Sequence, residues 1–277
     1  MRSKLFVPGA RPDFFEKALA SEADALAFDL EDAVPEAGKG AARARLANFL
    51  ASDQVRASKK MIIIRVNAPS TPHFGPDLEM LAKVRVDLIN LPKIEEADAM
   101  RSAAQLARSS VPAPLLVNIE TPRALQRAAE IATAHPAIVG LQAGLNDLFA
   151  PLGIDRADPA NVRLALWSIR IAAAAAGVFA YDGAWPDVAE AEGFRREAQL
   201  SRGLGFMGKS CIHPSQITIV NQVFETFQAV AQARRLIEAA RAASAQGRGA
   251  FLFDGRMIDR PQIAQAEALL AQAETGR

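Results

Sequence analysis

Apolar runs of strand length recur along the chain: residues 4–9 (KLFVPG), 25–30 (ALAFDL), 61–67 (MIIIRVN), 86–93 (VDLINLPK), 114–120 (PLLVNIE), 137–144 (AIVGLQAG), 177–182 (GVFAYD) and 205–214 (GFMGKSCIHP). Most are continuously apolar, the pattern of parallel strands buried on both faces. Between them lie helix-compatible stretches, at 12–22, 36–51, 75–83, 95–109, 121–134, 158–176 and 186–203, with a last one at 215–244. Thr121-Pro122 and Asp158-Pro159 each set a capping side chain before a proline at the first turn, which is a helix-start signal. Eight β-α units in succession predict an α/β fold, a (β/α)8 TIM barrel over residues 1–245. A doubly wound sheet is the weaker option, because no GxGxxG follows the first strand. Residues 246–277 lie beyond the eighth unit and read as a loop, a short strand or turn, and a terminal helix.

Composition narrows the class. With 277 residues and half of them hydrophobic, a substantial core can form. Lys and Arg total 32 against 31 acids, a net charge of +1, so no general nucleic-acid or membrane surface is expected. The start MRSKLFVPGA lacks the apolar run of a signal peptide, and a soluble cytoplasmic protein is the default expectation. Cys211 is the only cysteine, which excludes an intrachain disulfide and a CxxC metal site.

In such barrels the active site forms at the carboxyl ends of the strands. There the sequence places Asp29, Glu31 and Asp32 (FDLED), Arg65 and Asn67, Lys93, Glu120, the run Gly144-Leu145-Asn146-Asp147, Asp182 and His213. Carboxylates from the second, fifth and sixth strands converge on one rim, with Arg65 among them. This points to a hard divalent ion, since Mg²⁺ takes one or two carboxylates and fills its octahedron with water and substrate oxygens. Glu120 and Asp147 fit that count as metal ligands. Zinc is disfavoured, with scattered histidines and no cysteine cluster. The dense charge of FDLED is expected to face the metal and its waters. Lys93 and His213 are expected to be structural, Cys211 buried, and Asp182 and Trp185 to line the rim.

The segments RSKLFVPGARPDFFEKA, AFDLEDAVPEAGK, IIIRVNAP, INLPKIE, NIETPRAL, GLNDL, GKSCIHPSQI and FDGRMIDRP follow one another from end to end. As a set they resemble the citrate lyase β-subunit-like proteins of the HpcH/HpaI aldolase superfamily, which include malyl-CoA and citramalyl-CoA lyases. The resemblance implies a Mg²⁺-dependent lyase that makes or breaks a carbon–carbon bond beside a CoA thioester. It also implies a trimer or hexamer whose C-terminal segment closes over a neighbouring active site. By the same resemblance Glu120 and Asp147 are metal ligands, and Arg65 contacts the substrate oxygens. Arg11 and Lys17 meet the CoA phosphates, and Asp259 is an acid carried by the C-terminal segment. Glu31 and Asp32 count with Arg65 and Asp259 among the catalytic groups. The substrate's keto-acid end is expected at Glu120 and the backbone of Gly144, Leu145 and Asn146. LFAPLGI, after Asp147, departs from relatives that carry an acid before the leucine-glycine.

Blander readings stand beside these. Glu120 and Asp147 could cap helices, Arg65 could be a buried ion-pair partner of Glu31 or Asp32, Arg11 and Lys17 could be solvated, and Asp259 could cap a turn before Pro261. Rival functions are a CoA-independent pyruvate-type aldolase, a lyase that goes on to hydrolyse the thioester, and a non-autonomous β subunit of a citrate lyase complex.

Overall fold

Eight parallel strands form one sheet, β1 (Ser3–Pro8), β2 (Ala25–Asp29), β3 (Met61–Arg65), β4 (Leu88–Leu91), β5 (Leu115–Ile119), β6 (Ile138–Ala143), β7 (Phe179–Tyr181) and β8 (Lys209–Cys211), with one register shift, between β5 and β6 at Leu115/Leu116. A computed structural model describes residues 1–275, excepting the side chains of residues 227, 228 and 272–275. The spatial order runs β7-β6-β5-β4-β3-β2-β1-β8. Backbone bonds join the remaining seam, from the Met207 N–H to the Ala180 carbonyl (2.9 Å) and from the Asp182 N–H to the Gly208 carbonyl (2.9 Å). The sheet is a nearly closed barrel of TIM type.

Alternation along the strands sorts the core into two compartments. Leu26, Phe28, Ile62, Ile64, Ile89, Leu115, Val117 and Ile119 face outward and join the large cluster shared with the helices. Ala25, Ala27, Ile63, Leu88 and Leu116 face inward with Phe6 and Phe179 and fill the barrel. Two residues further along the same inward faces stand Asp29, Arg65, Asn90 and Asn118, and Glu120 stands two beyond Asn118. A polar layer therefore caps an apolar plug.

The helices are α1 (Phe15–Leu19), α2 (Lys39–Leu50), α3 (Asp53–Ala57), α4 (Phe74–Leu81), α5 (Ala97–Ser110), α6 (Pro122–Gln126), α7 (Ala128–Ala132), α8 (Leu145–Phe149), α9 (Pro159–Ala175), α10 (Ala191–Gly203) and α11 (Pro214–Val223). Thr121 and Asp158 cap α6 and α9, accepting from the Ala124 and Ala160 N–H groups. The helix read at 121–134 is broken at Arg127, whose φ of −108° and ψ of 14° leave the helical region. The helix read from 186 starts only at Ala191, because Asp187 turns its carboxylate onto the Ala189 and Glu190 N–H groups.

The chain divides into two compact units, Met1–Phe224 and Glu225–Arg277. The stretch read as one helix over 215–244 is two, α11 and α12 (Phe227–Ala245), and the second lies outside the barrel unit. In the C-terminal unit α12 packs with α13 (Arg260–Thr275), and between them in sequence lies a hairpin of β9 (Phe251–Phe253) and β10 (Arg256–Ile258). Asp254 and Gly255, at φ 48° and 76°, make the two-residue turn, as Asp-Gly favours. Leu252 and Met257 of this hairpin are more than 70 % exposed, at 77 % and 73 %. Among the described residues no helix is long and apolar enough to cross a membrane.

Candidate active site

Asp29 closes β2 and Arg65 closes β3, directly paired in register. The Arg65 Nε and Nη2 groups donate to the two Asp29 oxygens, both at 2.7 Å. The same oxygens accept the backbone N–H groups of Glu31 (2.9 Å) and Ala33 (3.1 Å). Four donors fill the four acceptor positions of this carboxylate, so Asp29 is spent on structure. Arg65 also sets its Nη1 group 3.0 Å from Glu31 and 3.7 Å from Asp32. Lys93 lies 2.5 Å from Glu31 and 3.0 Å from Asp32. The FDLED carboxylates thus face two cations of the chain itself, Arg65 and Lys93. The ion pairing of Arg65 with Glu31 and Asp32 that the sequence offered as an alternative is present, and Lys93 joins it.

Both Glu31 oxygens are buried within these ion pairs, Oε1 against Lys93 and Oε2 against Arg65. Burial pushes the Glu31 carboxyl up to about 7, against the pull of Arg65 and Lys93. For Asp32, burial works in the same upward direction, but Lys93 and Arg65 outweigh it and hold the carboxyl below its usual range. For Lys93, the surrounding carboxylates outweigh burial and raise its pKa.

Lys93 has φ 55°, an unusual conformation for a residue with a side chain. That conformation accompanies an N–H bond to Glu120 Oε1 at 2.7 Å. The other oxygen, Oε2, accepts from Asn118 Nδ2 at 2.9 Å. Glu120 directly follows β5 and is 2 % exposed. Gly144 follows β6, and a Cβ there would overlap the Glu120 Cβ. The Gly144 N–H is already given to the Ile119 carbonyl (2.9 Å), so it is not a donor for a ligand as the sequence suggested; its role is clearance. Leu145 is buried, and Asn146 and Asp147 are exposed on the short helix α8. Although the Asp147 side chain reaches solvent, partial desolvation at its inner side, and next the charge of Asp32, push its carboxyl up; Glu120 is raised by burial and by Asp147.

The rim therefore gathers five carboxylates, Asp29, Glu31, Asp32, Glu120 and Asp147, against three cations, Arg65, Lys93 and the buried Lys39, whose ammonium donates to the Leu30 and Glu31 carbonyls (2.9 and 2.7 Å). Among the described residues no three His, Cys, Asp or Glu side chains gather as a closed metal cage. An open two-carboxylate site with surplus negative charge fits Mg²⁺, which keeps water and substrate oxygens as its other ligands. Glu120 and Asp147 are the carboxylates whose oxygens no Arg65 or Lys93 side chain engages, which leaves them as the two that could hold it.

Other expected residues fall elsewhere. Asp182 does not line the rim. It is fully buried, with Lys209 Nζ at 2.7 Å, and the same ammonium bonds Glu197 at 2.6 Å. Trp185 is half-buried, its ring 5.3 Å from the Arg156 guanidinium. His213 caps α11 by accepting the Ser215 N–H. Burial pushes the Cys211 thiol up to about 12, which makes it a poor nucleophile. Asn67 is buried against Asp77, donating its amide to that carboxylate at 2.7 Å. Arg11 is exposed, bonded to Asp13 (2.8 and 3.0 Å) and stacked 4.1 Å over Phe14, and Lys17 is exposed on α1. Asp259 is exposed, and its N–H donates to Gln262 Oε1 at 3.0 Å. Sequence reasoning passed over Asn90 and Asn118. The signal was available: each lies two residues on from an inward apolar position, Leu88 or Leu116, toward the carboxyl end of its strand.

Residues 2–214 match the HpcH/HpaI aldolase/citrate lyase family. The chain is 37 % identical over 276 residues to a citrate lyase subunit beta-like protein of Deinococcus radiodurans, covering 98 % of this chain and 96 % of that one. It is 37 % identical over 275 residues to a (3S)-malyl-CoA thioesterase of Cereibacter sphaeroides, covering 99 % and 94 %. Its fold superposes on the crystal structure of protein CitE from Mycobacterium tuberculosis, in complex with magnesium, acetoacetate and coenzyme A. The TM-score is 0.79, at 36 % identity, over 99 % of this chain and 98 % of that one. With a rim that joins an arginine to surplus carboxylates and likeness along its whole length, this chain belongs to the HpcH/HpaI aldolase/citrate lyase family, as a citrate lyase β-like member.

Proposed function

We propose that this protein is a Mg²⁺-dependent acyl-CoA carbon–carbon lyase. It cleaves, or in reverse condenses, a β-hydroxyacyl-CoA such as malyl-, citramalyl- or citryl-CoA, with acetyl-CoA and a keto acid on the other side. The observation that carries this reading is the charge imbalance of the rim, five carboxylates against three cations with Glu120 and Asp147 outside the ion pairs. Magnesium and coenzyme A in the complex of the M. tuberculosis relative support the extension to this chain.

Glu120 and Asp147 would hold Mg²⁺, which supplies Lewis-acid polarisation and a template for the substrate's oxygens when bound. In cleavage the β-hydroxyl loses its proton and the carbon–carbon bond pair passes to the thioester side, leaving an enolate and a keto group. The enolate carbon then takes a proton. Three Arg65 N–H groups are committed to Asp29 and Glu31, which leaves others of its five for the oxygen on which charge develops. Glu31, buried against Arg65 and Lys93 with its carboxyl pushed up to about 7, is suited to receive the hydroxyl proton. Asp32 keeps Lys93 in place beside it. Asp259 delivers the proton to the enolate carbon from the C-terminal segment of a second subunit. Arg11 and Lys17 bind the CoA phosphates.

Likeness to a (3S)-malyl-CoA thioesterase favours one second reading, hydrolysis of the thioester in place of, or after, the carbon–carbon step. Calorimetry tests the binding half of the account. Mg²⁺ and CoA should each bind the wild type, and reversing charge at Arg11 and Lys17 together should weaken CoA but not a free keto acid. A wild type that binds no CoA would put the CoA-independent pyruvate-type aldolase ahead.

A further inference from the structure

Two asparagines sit inside the barrel under the rim, Asn90 with 0 % and Asn118 with 2 % of its surface exposed. One step below them on the same strand faces are Leu88 and Leu116, members of the apolar plug. Leucine or methionine would fill the asparagine positions and remove a cost, because the Asn90 Oδ1 atom is buried without a donor. Packing alone gives no reason to keep amides here.

Their hydrogen bonds run in one direction. The Asn90 Nδ2 group donates to the Leu116 carbonyl (3.1 Å) and to Asn118 Oδ1 (2.8 Å). An amide has one acceptor end and one donor end. With its oxygen taken by Asn90, Asn118 must turn its NH₂ toward Glu120, and that group donates to Glu120 Oε2 at 2.9 Å. Without Asn90, the Asn118 amide could flip and set its carbonyl oxygen against the carboxylate. With Lys93 N–H on Oε1 and Gly144 against its Cβ, Glu120 is fixed on three sides. Each of its oxygens keeps a lone pair for a cation.

We infer that Asn118 and, acting through it, Asn90 are positioning residues for the divalent-cation site; this rests on the reading of Glu120 as a cation ligand. The relay sets the carboxylate's rotation before the ion arrives. Partners one step behind a metal ligand commonly change affinity by about 10- to 100-fold when removed.

Calorimetric titration of Mg²⁺, and of Mn²⁺ as a tighter-binding probe, tests this on the wild type, Asn118→Leu, Asn90→Leu, the double variant and Glu120→Ala. Thermal melting in metal-free buffer accompanies each titration. Asn118→Leu should lose about 10- to 100-fold in affinity while still unfolding in one cooperative transition, at a temperature lowered by the partners that Glu120 and Asn90 lose. Asn90→Leu should weaken binding in the same direction. The double variant should bind no worse than Asn118→Leu alone, because Asn90 works only through Asn118. Wild-type affinity in Asn118→Leu would overturn the relay, as would effects that multiply in the double variant. If Asn118→Leu does not fold, Asn90→Leu decides alone: unchanged affinity overturns the proposal. A wild type with no saturable binding that Glu120→Ala removes would sink the cation reading itself, and the relay with it.

Discussion

Arg65 holds two carboxylates of one short acidic run while closing a strand. Its planar fork spans both Asp29 oxygens at 2.7 Å and still reaches Glu31 at 3.0 Å. A lysine in its place keeps the charge but has neither the plane nor the reach to hold these groups and a substrate oxygen together. Arg65→Lys should therefore lower turnover by about 100-fold or more, the scale of losing a donor aimed at developing charge. Steady-state kinetics beside a melting curve checks this. Near-normal turnover with a lowered melting temperature would assign Arg65 to structure alone. The positions of Glu120 after β5 and of Asp147 after β6 were legible in sequence, because each stands just past an apolar strand-length run. Asp29 was harder to assign: its four donors come from Arg65 and from two backbone N–H groups of its own turn, and no spacing rule displays that saturation.

At the level of elements, β7, β8 and α10 are joined by a buried charge cluster. Lys209 Nζ, wholly enclosed, bonds Asp182 (2.7 Å), the Gly183 carbonyl (3.1 Å) and Glu197 (2.6 Å), and Arg156 closes over Glu197 with Nη2 at 2.7 Å. Burial alone would raise the Glu197 carboxyl, but Lys209 and Arg156 outweigh it and hold it below the usual range. Lys209→Met leaves two buried carboxylates short of their shared cation and should cost about 3–5 kcal/mol in denaturant unfolding. Adding Asp182→Asn, which removes one of the stranded charges, should recover part of that loss; an undiminished wild-type stability in Lys209→Met would show the cluster to be dispensable. The strands themselves were legible, since parallel strands covered on both faces must be apolar throughout. The breaks at Arg127 and Phe224 were not, because neither carries a glycine or proline, and both turn on local backbone angles within helix-compatible sequence. Asp182 was misplaced for a similar reason: strand-end position is visible in sequence, but the face it takes depends on pairing with Lys209.

For the whole molecule, the C-terminal unit presents Leu252 and Met257 on a two-stranded hairpin that is largely solvent-exposed in the single chain. Exposed apolar side chains on so small a unit suit burial against another subunit. We expect a homotrimer or a dimer of trimers with Asp259 serving a neighbour's site. Mixing inactive Glu120→Ala and Asp259→Ala proteins under subunit exchange should then restore part of the activity, since some hybrid sites regain both groups. No recovery after proven exchange would confine Asp259 to its own subunit or exclude it from catalysis. The central claim, carbon–carbon cleavage of a CoA thioester, is tested most directly by incubating the purified protein and Mg²⁺ with malyl-, citramalyl- and citryl-CoA, and resolving products by mass. The account predicts acetyl-CoA and the matching keto acid in equal amounts from at least one of these, lost in Glu120→Ala and in Asp147→Ala. Free CoA with the intact hydroxy acid, and no acetyl-CoA or keto acid at any time, would contradict it and identify a thioesterase.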